Sequence, residues 1–471
     1  MLNYQYHFDL NKYQTLIIIL SKHIIFAFIL SSFALFSQDY LWPLKAGQNL
    51  TAVFGEERPG RYHTGIDIRT FGQIGYPLVA VYDGYISRIR TSSKKYGKTL
   101  YLKLNDGNTA VYAHLDHFIP ELDNLASALQ EYYDQYEIDH FFEKKEHIIK
   151  KGDLIGYSGD TGGVSGPHLH FEIRDQNQNP VNPFNYGLSI SDDIPPTVSS
   201  LAFIPLNRKS YINGYPEEKL FSLKKINESE YVLEDTISTI GPFGMAIKTS
   251  DSISNQEFSF GIYSINLHHN NNLIYSMQYD KIKWDESKSL YTEKSYSLAR
   301  KGFGKFYHLF SHQNNQTLTF INSQSYSNIT IHEPGLHNAI ITINDYIGNQ
   351  AKVKVTFYSD SIPKYNYNVT FSNDTCSIHF ITNNKFKPYF YRINRHDYSI
   401  KNISKYYDMG NNHFFITGIQ NPDNIIEIYA KNQHGLRSQS TFHMSNKKNY
   451  KEIDGELYIK HYEHGILIKF E

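Results

Sequence analysis

Two histidines separated by a single leucine, His168 and His170, stand in the segment Gly166-Pro167-His168-Leu169-His170-Phe171-Glu172-Ile173. In an extended strand successive side chains point to opposite faces, so the two imidazoles share one face while Leu169 and Phe171 enter a core. Neutral imidazole is both a zinc ligand and a base that titrates near neutrality, so the pair suits a metal centre or a proton-transfer site. A hydrolytic zinc site needs three protein ligands and one open position, and this pair supplies at most two. Upstream, Arg61-Tyr62-His63-Thr64-Gly65-Ile66-Asp67-Ile68-Arg69 adds a histidine and a carboxylate four residues apart, in a glycine-containing stretch entering a strand. One histidine of the pair, with His63 and Asp67, makes a two-histidine, one-carboxylate set. The other, with His114 at the end of its own strand, is left for general acid-base work or for stabilising an oxyanion.

Other chemically suggestive residues carry less. Gly159, Gly162, Gly163 and Gly166 precede the pair, but no Lys-Ser/Thr follows them and a strand comes next, which excludes a phosphate-binding P-loop. They read as room for backbone and substrate to approach. His268-His269 and His461-x-x-His464 lack a carboxylate at ligand spacing. The single cysteine, Cys376, excludes an intrachain disulfide framework and a thiolate zinc site.

The elements that must hold these residues are strands. The composition is skewed toward Tyr (39), Phe (30), Ile, Asn and Ser, which suits strands and turns. Asp83-Gly84 between residues 78–82 and 85–89 predicts a hairpin, as does Asn105-Asp106-Gly107-Asn108 between residues 100–104 and 109–114. Pro120 opens a helical insertion over about 119–146, with Leu122, Leu125, Leu129, Tyr132 and Tyr136 at three- and four-residue steps; it is either a wall or lid over the site or a surface decoration. Strand character resumes at Leu154-Ile155-Gly156-Tyr157-Ser158 and leads through the glycines to His168.

The segments His63-x-x-x-Asp67, Tyr112-Ala113-His114-Leu115 and Gly159-Asp160-Thr161-Gly162-Gly163-Val164-Ser165-Gly166-Pro167-His168-Leu169-His170-Phe171-Glu172-Ile173 resemble, in order, the three signatures of the lysostaphin/LytM-type zinc metallopeptidases, family M23. The resemblance spans residues 44–184. It implies a small antiparallel β-sheet with its site in a groove, one zinc bound by His63, Asp67 and His170, and catalytic roles for His114 and His168. It also implies hydrolysis of peptide bonds in peptidoglycan stems or cross-links by zinc-activated water. The insertion after His114 departs from simpler members. Two rival functions remain open: a non-catalytic LytM-like module that binds wall peptides and activates other wall hydrolases, and a zinc peptidase acting on proteins outside the wall.

Length and charge set the frame. A chain of 471 residues holds two to four domains, and 46 Lys+Arg against 47 Asp+Glu leave no basic footprint for nucleic acid. The expected division is a signal peptide or membrane anchor over 1–37, the peptidase-like domain over 40–188, a β-sandwich, immunoglobulin-like, over 195–360 and a second β-rich domain over 363–471. The fold class is therefore all-β with one helical insertion. The apolar run Ile24–Phe36, preceded by another at Leu16–Leu20, has the length of a signal-peptide core, so the chain is expected to be exported to the periplasm or cell envelope. The C-terminal β domains would localise it on the wall, engage an envelope protein or cover the groove.

Overall fold

The computed structural model describes residues 40–144, 146–207, 209–311, 318–322, 334–372, 375–382, 385–394, 400–403, 405–418, 424–438, 440–444, 457–462 and 465–470. The apolar runs read as an export signal and His464 lie outside these residues.

An eleven-stranded antiparallel sheet carries all five candidate site residues or their approaches. Its main path runs through β1 (Leu50–Ala52), β2 (Ile66–Arg69), then β7 (His168–Arg174), β5 (Thr109–Phe118), β4 (Lys98–Leu104) and β3 (Gly84–Thr91). The remaining principal strand, β6 (Leu154–Ser158), pairs with both Pro77–Val79 and β5. The alternation along β7 is as the sequence predicts: Leu169, Phe171 and Ile173 are fully buried in the core beside Ile66, Ile68, Tyr112 and Leu115. Phe171 meets the Tyr112 ring edge-on at 5.1 Å. Each such side chain contributes about 1.5–3 kcal/mol by leaving water, which pins the register and so the opposite face of the strand.

The hairpin expected at Asn105-Asp106-Gly107-Asn108 forms, joining β4 to β5. The one expected at Asp83-Gly84 does not, because Pro77–Val79 pairs with β6 and β3 pairs with β4. A tight two-residue turn needs positive φ at its centre, and neither Asp83 nor Gly84 has it. Asp83 accepts instead from the Lys151 amide at 2.8 Å, and a Cβ on Gly84 would stand 2.2 Å from the Lys103 carbonyl oxygen. That glycine marks a close approach of two strands.

The insertion begins as helix α1 (Pro120–Tyr133), with proline in its first turn and Leu122 and Ala126 buried. It ends before Tyr136, in a left-handed Asp134 (φ 49°), and leaves Tyr132 80% exposed. The chain then adds Ile138–Phe141 to the edge of β3, anchored by a bidentate Arg88–Asp139 pair at 2.6 Å. Along the sheet path β3 is separated from β7 by β5 and β4, so this part of the insertion widens the sheet on the side away from β2.

Beyond residue 195 a five-stranded sheet built on Thr197–Pro205 and Phe243–Ser252 shares a core with a nine-stranded sheet built on Gly335–Asn344 and Gln350–Ser359. Phe203, Phe243, Met245, Tyr275, Ile341 and Phe357 fill it. Two short strands, Glu230–Val232 and Ile237–Ile240, run parallel to Gln350–Ser359. Two four-stranded sheets follow around Cys376, Ile378, Phe390, Ile416 and Ile428. Burial pushes the Cys376 thiol up to about 12, so it is a core hydrophobe rather than a nucleophile.

The first sheet and the sandwich are packed together through the segment that delivers His63. Phe54 and Tyr62 are buried in the sandwich core. Tyr62 donates to Glu293 at 3.1 Å, Tyr279 donates to the same carboxylate at 2.9 Å, and buried Lys294 balances its charge at 2.8 Å. Gly55 needs its missing side chain here: with φ +78°, a Cβ would stand 2.7 Å from the Tyr279 ring. Gly261 and Leu50 amides close the contact, donating to Glu56 at 3.1 Å and Gln256 at 2.7 Å.

Candidate metal centre

The register of β7 against its two neighbours assembles the site. His170 lies opposite Asp67 of β2 on one side and Ala113 of β5 on the other. His114 follows Ala113 at a bulge, where the pairing of β4 with β5 slips by one residue. Its backbone is left-handed, φ +66°, a conformation that costs about 1–2 kcal/mol and re-aims the side chain. The His114 amide, donating to the Tyr96 carbonyl at 2.9 Å, holds it there. All five residues singled out in the sequence therefore meet. His63, Asp67, His114 and His170 are buried and His168 is partly exposed.

Three atoms converge: His63 Nε2, Asp67 Oδ1 and His170 Nδ1 lie 3.0, 2.8 and 3.1 Å from one another. Partners behind the rings fix the tautomers. His63 Nδ1 donates to the Val53 carbonyl at 2.8 Å, and His170 Nε2 donates to Glu172 Oε1 at 2.9 Å. With neutral rings both facing nitrogens therefore carry lone pairs, turned on each other and on a carboxylate oxygen. Such a set is repulsive by itself and calls for a cation between its members. A tetrahedral zinc with bonds of about 2.0–2.1 Å needs ligand atoms about 3.3–3.4 Å apart, so the triad is nearly at ligand spacing. The donors fit: two imidazoles and one oxygen suit zinc among the common cations. Arg58 donates to the other Asp67 oxygen at 2.9 Å, leaving Oδ1 to the centre.

His114 and His168 follow the same pattern. Their Nδ1 atoms donate to the carbonyls of Thr161 and Gly166, each at 2.9 Å, and leave Nε2 as the available nitrogen. His168 Nε2 sits 3.6 Å from Asp67 Oδ1, and the His114 and His168 rings are 4.9 Å apart. Burial, then the neighbouring His170 and His168, push the His114 imidazole down to about 3, so it is neutral at physiological pH. The glycine loop explains the Thr161 contact. Gly162 (φ +86°) and Gly97 (φ +62°) let two backbones meet where Cβ atoms would stand 2.4 and 2.3 Å from the facing chain.

Behind the triad lies a group the motif reading did not single out. Glu172 is fully buried and accepts on Oε1 from His170, Thr64 at 2.7 Å and Tyr96 at 2.6 Å, and on Oε2 from Arg174 Nε at 2.7 Å. Burial alone would raise its carboxyl; Arg174 and His170 reverse that and hold it well below the usual carboxylate range. Burial likewise disfavours a charged His170, but hydrogen bonds to Asp67 and Glu172 win and push it up to about 9 while no cation competes. Asp67 is held low against burial by His63 and His170. Glu172 and Arg174 were findable by continuing the two-residue alternation past His170. Tyr96, in the loop before β4, and Arg58 carried no signal.

Residues 127–183 match the model of Peptidase family M23, a stretch that includes His168 and His170. The first sheet is thus similar to the M23 peptidases. It is 31% identical over 128 residues to the DD-carboxypeptidase/endopeptidase Mpg of Neisseria meningitidis, covering 27% of this chain and 23% of that protein. It is 28% identical over 135 residues to the cell division protein DipM of Caulobacter vibrioides, covering 29% and 18%. A third relative, the murein hydrolase activator NlpD of Escherichia coli, is 28% identical over 145 residues, 31% of this chain and 30% of that one. The chain thus spans under a quarter of the length of the first two relatives, 23% and 18%, and the likeness of M23 type lies in the first sheet.

Proposed function

We propose that the chain is an exported zinc metallo-endopeptidase that hydrolyses peptide bonds in peptidoglycan stems or cross-links. The observation that carries this reading is the convergence of three lone-pair atoms, each locked from behind by a protein partner. Zinc bound there supplies Lewis-acid polarisation and a nucleophile at neutral pH. His63, Asp67 and His170 would hold it, with Val53, Arg58 and Glu172 fixing their orientation. His114, neutral and anchored on Thr161, can accept a proton at Nε2 as the nucleophile forms and return it to the departing amine. His168, anchored on Gly166 through Nδ1, would donate to the oxyanion from Nε2 once that nitrogen also carries a proton. The DD-carboxypeptidase/endopeptidase and the murein hydrolase activator among the relatives support a wall substrate. Among the described residues no helix is long and apolar enough to cross a membrane; residues 1–37 would direct export, and the C-terminal β domains would engage an envelope protein.

The similarity to a murein hydrolase activator supports a second reading, a wall-binding module that cuts nothing. Digestion of purified cross-linked sacculi separates the two. Released stem peptides from wild type, absent with His114→Gln, support the enzyme; a zinc-loaded wild type that releases none while stimulating another wall hydrolase supports the activator.

A further inference from the structure

A second cluster of ligating groups shares no residue with the histidine centre. Asp192 on the linker after the peptidase sheet, Asp251 near the end of the Phe243–Ser252 strand and Asp345 in the turn between Gly335–Asn344 and Gln350–Ser359 each bring a carboxylate oxygen within 4.8 Å of the other two. Two of them have ordinary work. Asp345 Oδ1 caps its own turn, accepting from the amides of Ile347, Gly348 and Asn349 at 2.7–2.9 Å. Asp192 Oδ1 accepts from the Ser254 amide at 2.9 Å.

Asp251 has none. It is 2% exposed, and its Oδ1 is buried with no hydrogen-bond partner. The charged groups acting on it are Asp345 and Asp192, both negative. The donors that meet these carboxylates are neutral, among them Asn349 Nδ2, which donates to Asp345 Oδ2 at 2.7 Å and reaches Asp192 Oδ2 at 3.5 Å. An unpaired buried carboxylate beside two others costs several kcal/mol unless a proton or a cation joins it.

We propose that Asp192, Asp251 and Asp345 bind a hard divalent cation of the calcium class. The donors are all oxygen, with no imidazole or thiolate, which favours calcium over zinc and separates this site from the histidine centre. Three carboxylates supply part of a six- to eight-oxygen shell, and the remainder comes from carbonyls and water. The position gives the ion a structural consequence. It ties the linker to both sheets of the sandwich at the point where Ile253 enters the core of the peptidase sheet and Tyr346 donates to the Phe54 carbonyl. Phe54 neighbours Val53, whose carbonyl orients His63, so the cation stiffens the joint that supports a ligand of the other centre.

The test uses the full chain, stripped of metals, in wild-type form and as His170→Ala, Asp251→Asn and Asp192→Asn. Calcium chloride is titrated by calorimetry, and thermal midpoints are read with and without it. One calcium per chain in wild type and in His170→Ala, lost in Asp251→Asn and weakened at least tenfold in Asp192→Asn, supports the site. A calcium-dependent rise in midpoint of roughly 5 °C, absent in Asp251→Asn, supports it too. Asp251→Asn removes an unpaired charge and should fold at least as well as wild type without calcium. Folded wild type that shows neither heat nor a midpoint shift with millimolar calcium, magnesium or manganese overturns the proposal, leaving a shared proton as the balancing charge. Equal calcium binding by wild type and both aspartate variants overturns it as well.

Discussion

Replacing Glu172 by Gln tests the logic of the centre without touching a proposed zinc ligand. The carboxylate takes four donor groups: His170, Thr64 and Tyr96 on one oxygen and Arg174 on the other. An amide presents one acceptor and one N–H donor, so either the three donors on Oε1 or the guanidinium meets a donor. Arg174, buried under the Tyr101 and Trp284 rings, loses its counter-charge, a change worth about 3–5 kcal/mol when a buried pair is broken from one side. His170 loses the partner that fixes its tautomer, which typically weakens metal binding about 10- to 100-fold, or about 1.4–2.7 kcal/mol. The sign with pH follows from the depressed Glu172 carboxyl. Its contribution is present above the unfolded value of about 4.3 and is lost as pH falls through the lower folded value. The gap between wild type and E172Q should hold steady near neutrality and narrow in acid. Urea unfolding across pH, with zinc affinity from competition against a chromogenic chelator, measures both quantities. A variant within about 0.5 kcal/mol of wild type at pH 7, with unchanged zinc affinity, would refute the role given to Glu172.

Other outcomes follow from the same geometry. His114→Gln should keep its zinc, read by elemental analysis, and lose about 10²- to 10⁴-fold in turnover; because wild-type His114 is pushed down to about 3, its titration should leave no step in the rate between pH 5 and 8. Gly65→Ala places a Cβ 2.2 Å from the Phe171 carbonyl, forcing β2 from β7, so it should cost about 1–3 kcal/mol and release metal at lower chelator concentration. Tyr62→Ala removes a buried ring that joins the first sheet to the sandwich; a loss of about 3–5 kcal/mol in unfolding free energy is expected, with weakened zinc binding because the adjacent residue is His63.

The gathering of these side chains was legible because strands impose period two and a hydrolytic zinc site restricts ligand types. His168-x-His170 beside apolar Leu169 and Phe171 could only be a one-faced pair, and His63-x-x-x-Asp67 supplied what the pair lacked. The same alternation runs on to Glu172 and Arg174, yet a carboxylate whose partners come from residues 64 and 96 has no local signature. The Asp83-Gly84 hairpin failed for a related reason: its dipeptide chemistry suits a tight turn, but partners from residues 103 and 151 decide the path. The insertion's helix was readable from its apolar spacing, whereas the strand after it owes its existence to the open edge of β3. Tyr62 read as one more aromatic, and nothing nearby in sequence announced Glu293 or Tyr279 as its neighbours.

The most direct test of the account is zinc content and cleavage measured on the same samples: elemental analysis of wild type and His170→Ala, then digestion of cross-linked sacculi read by mass spectrometry. About one zinc per chain and new free stem peptides from wild type, with both lost in the variant, are the predicted results. Cleavage that persists undiminished in zinc-free His170→Ala, or a wild type that holds no zinc, would contradict it.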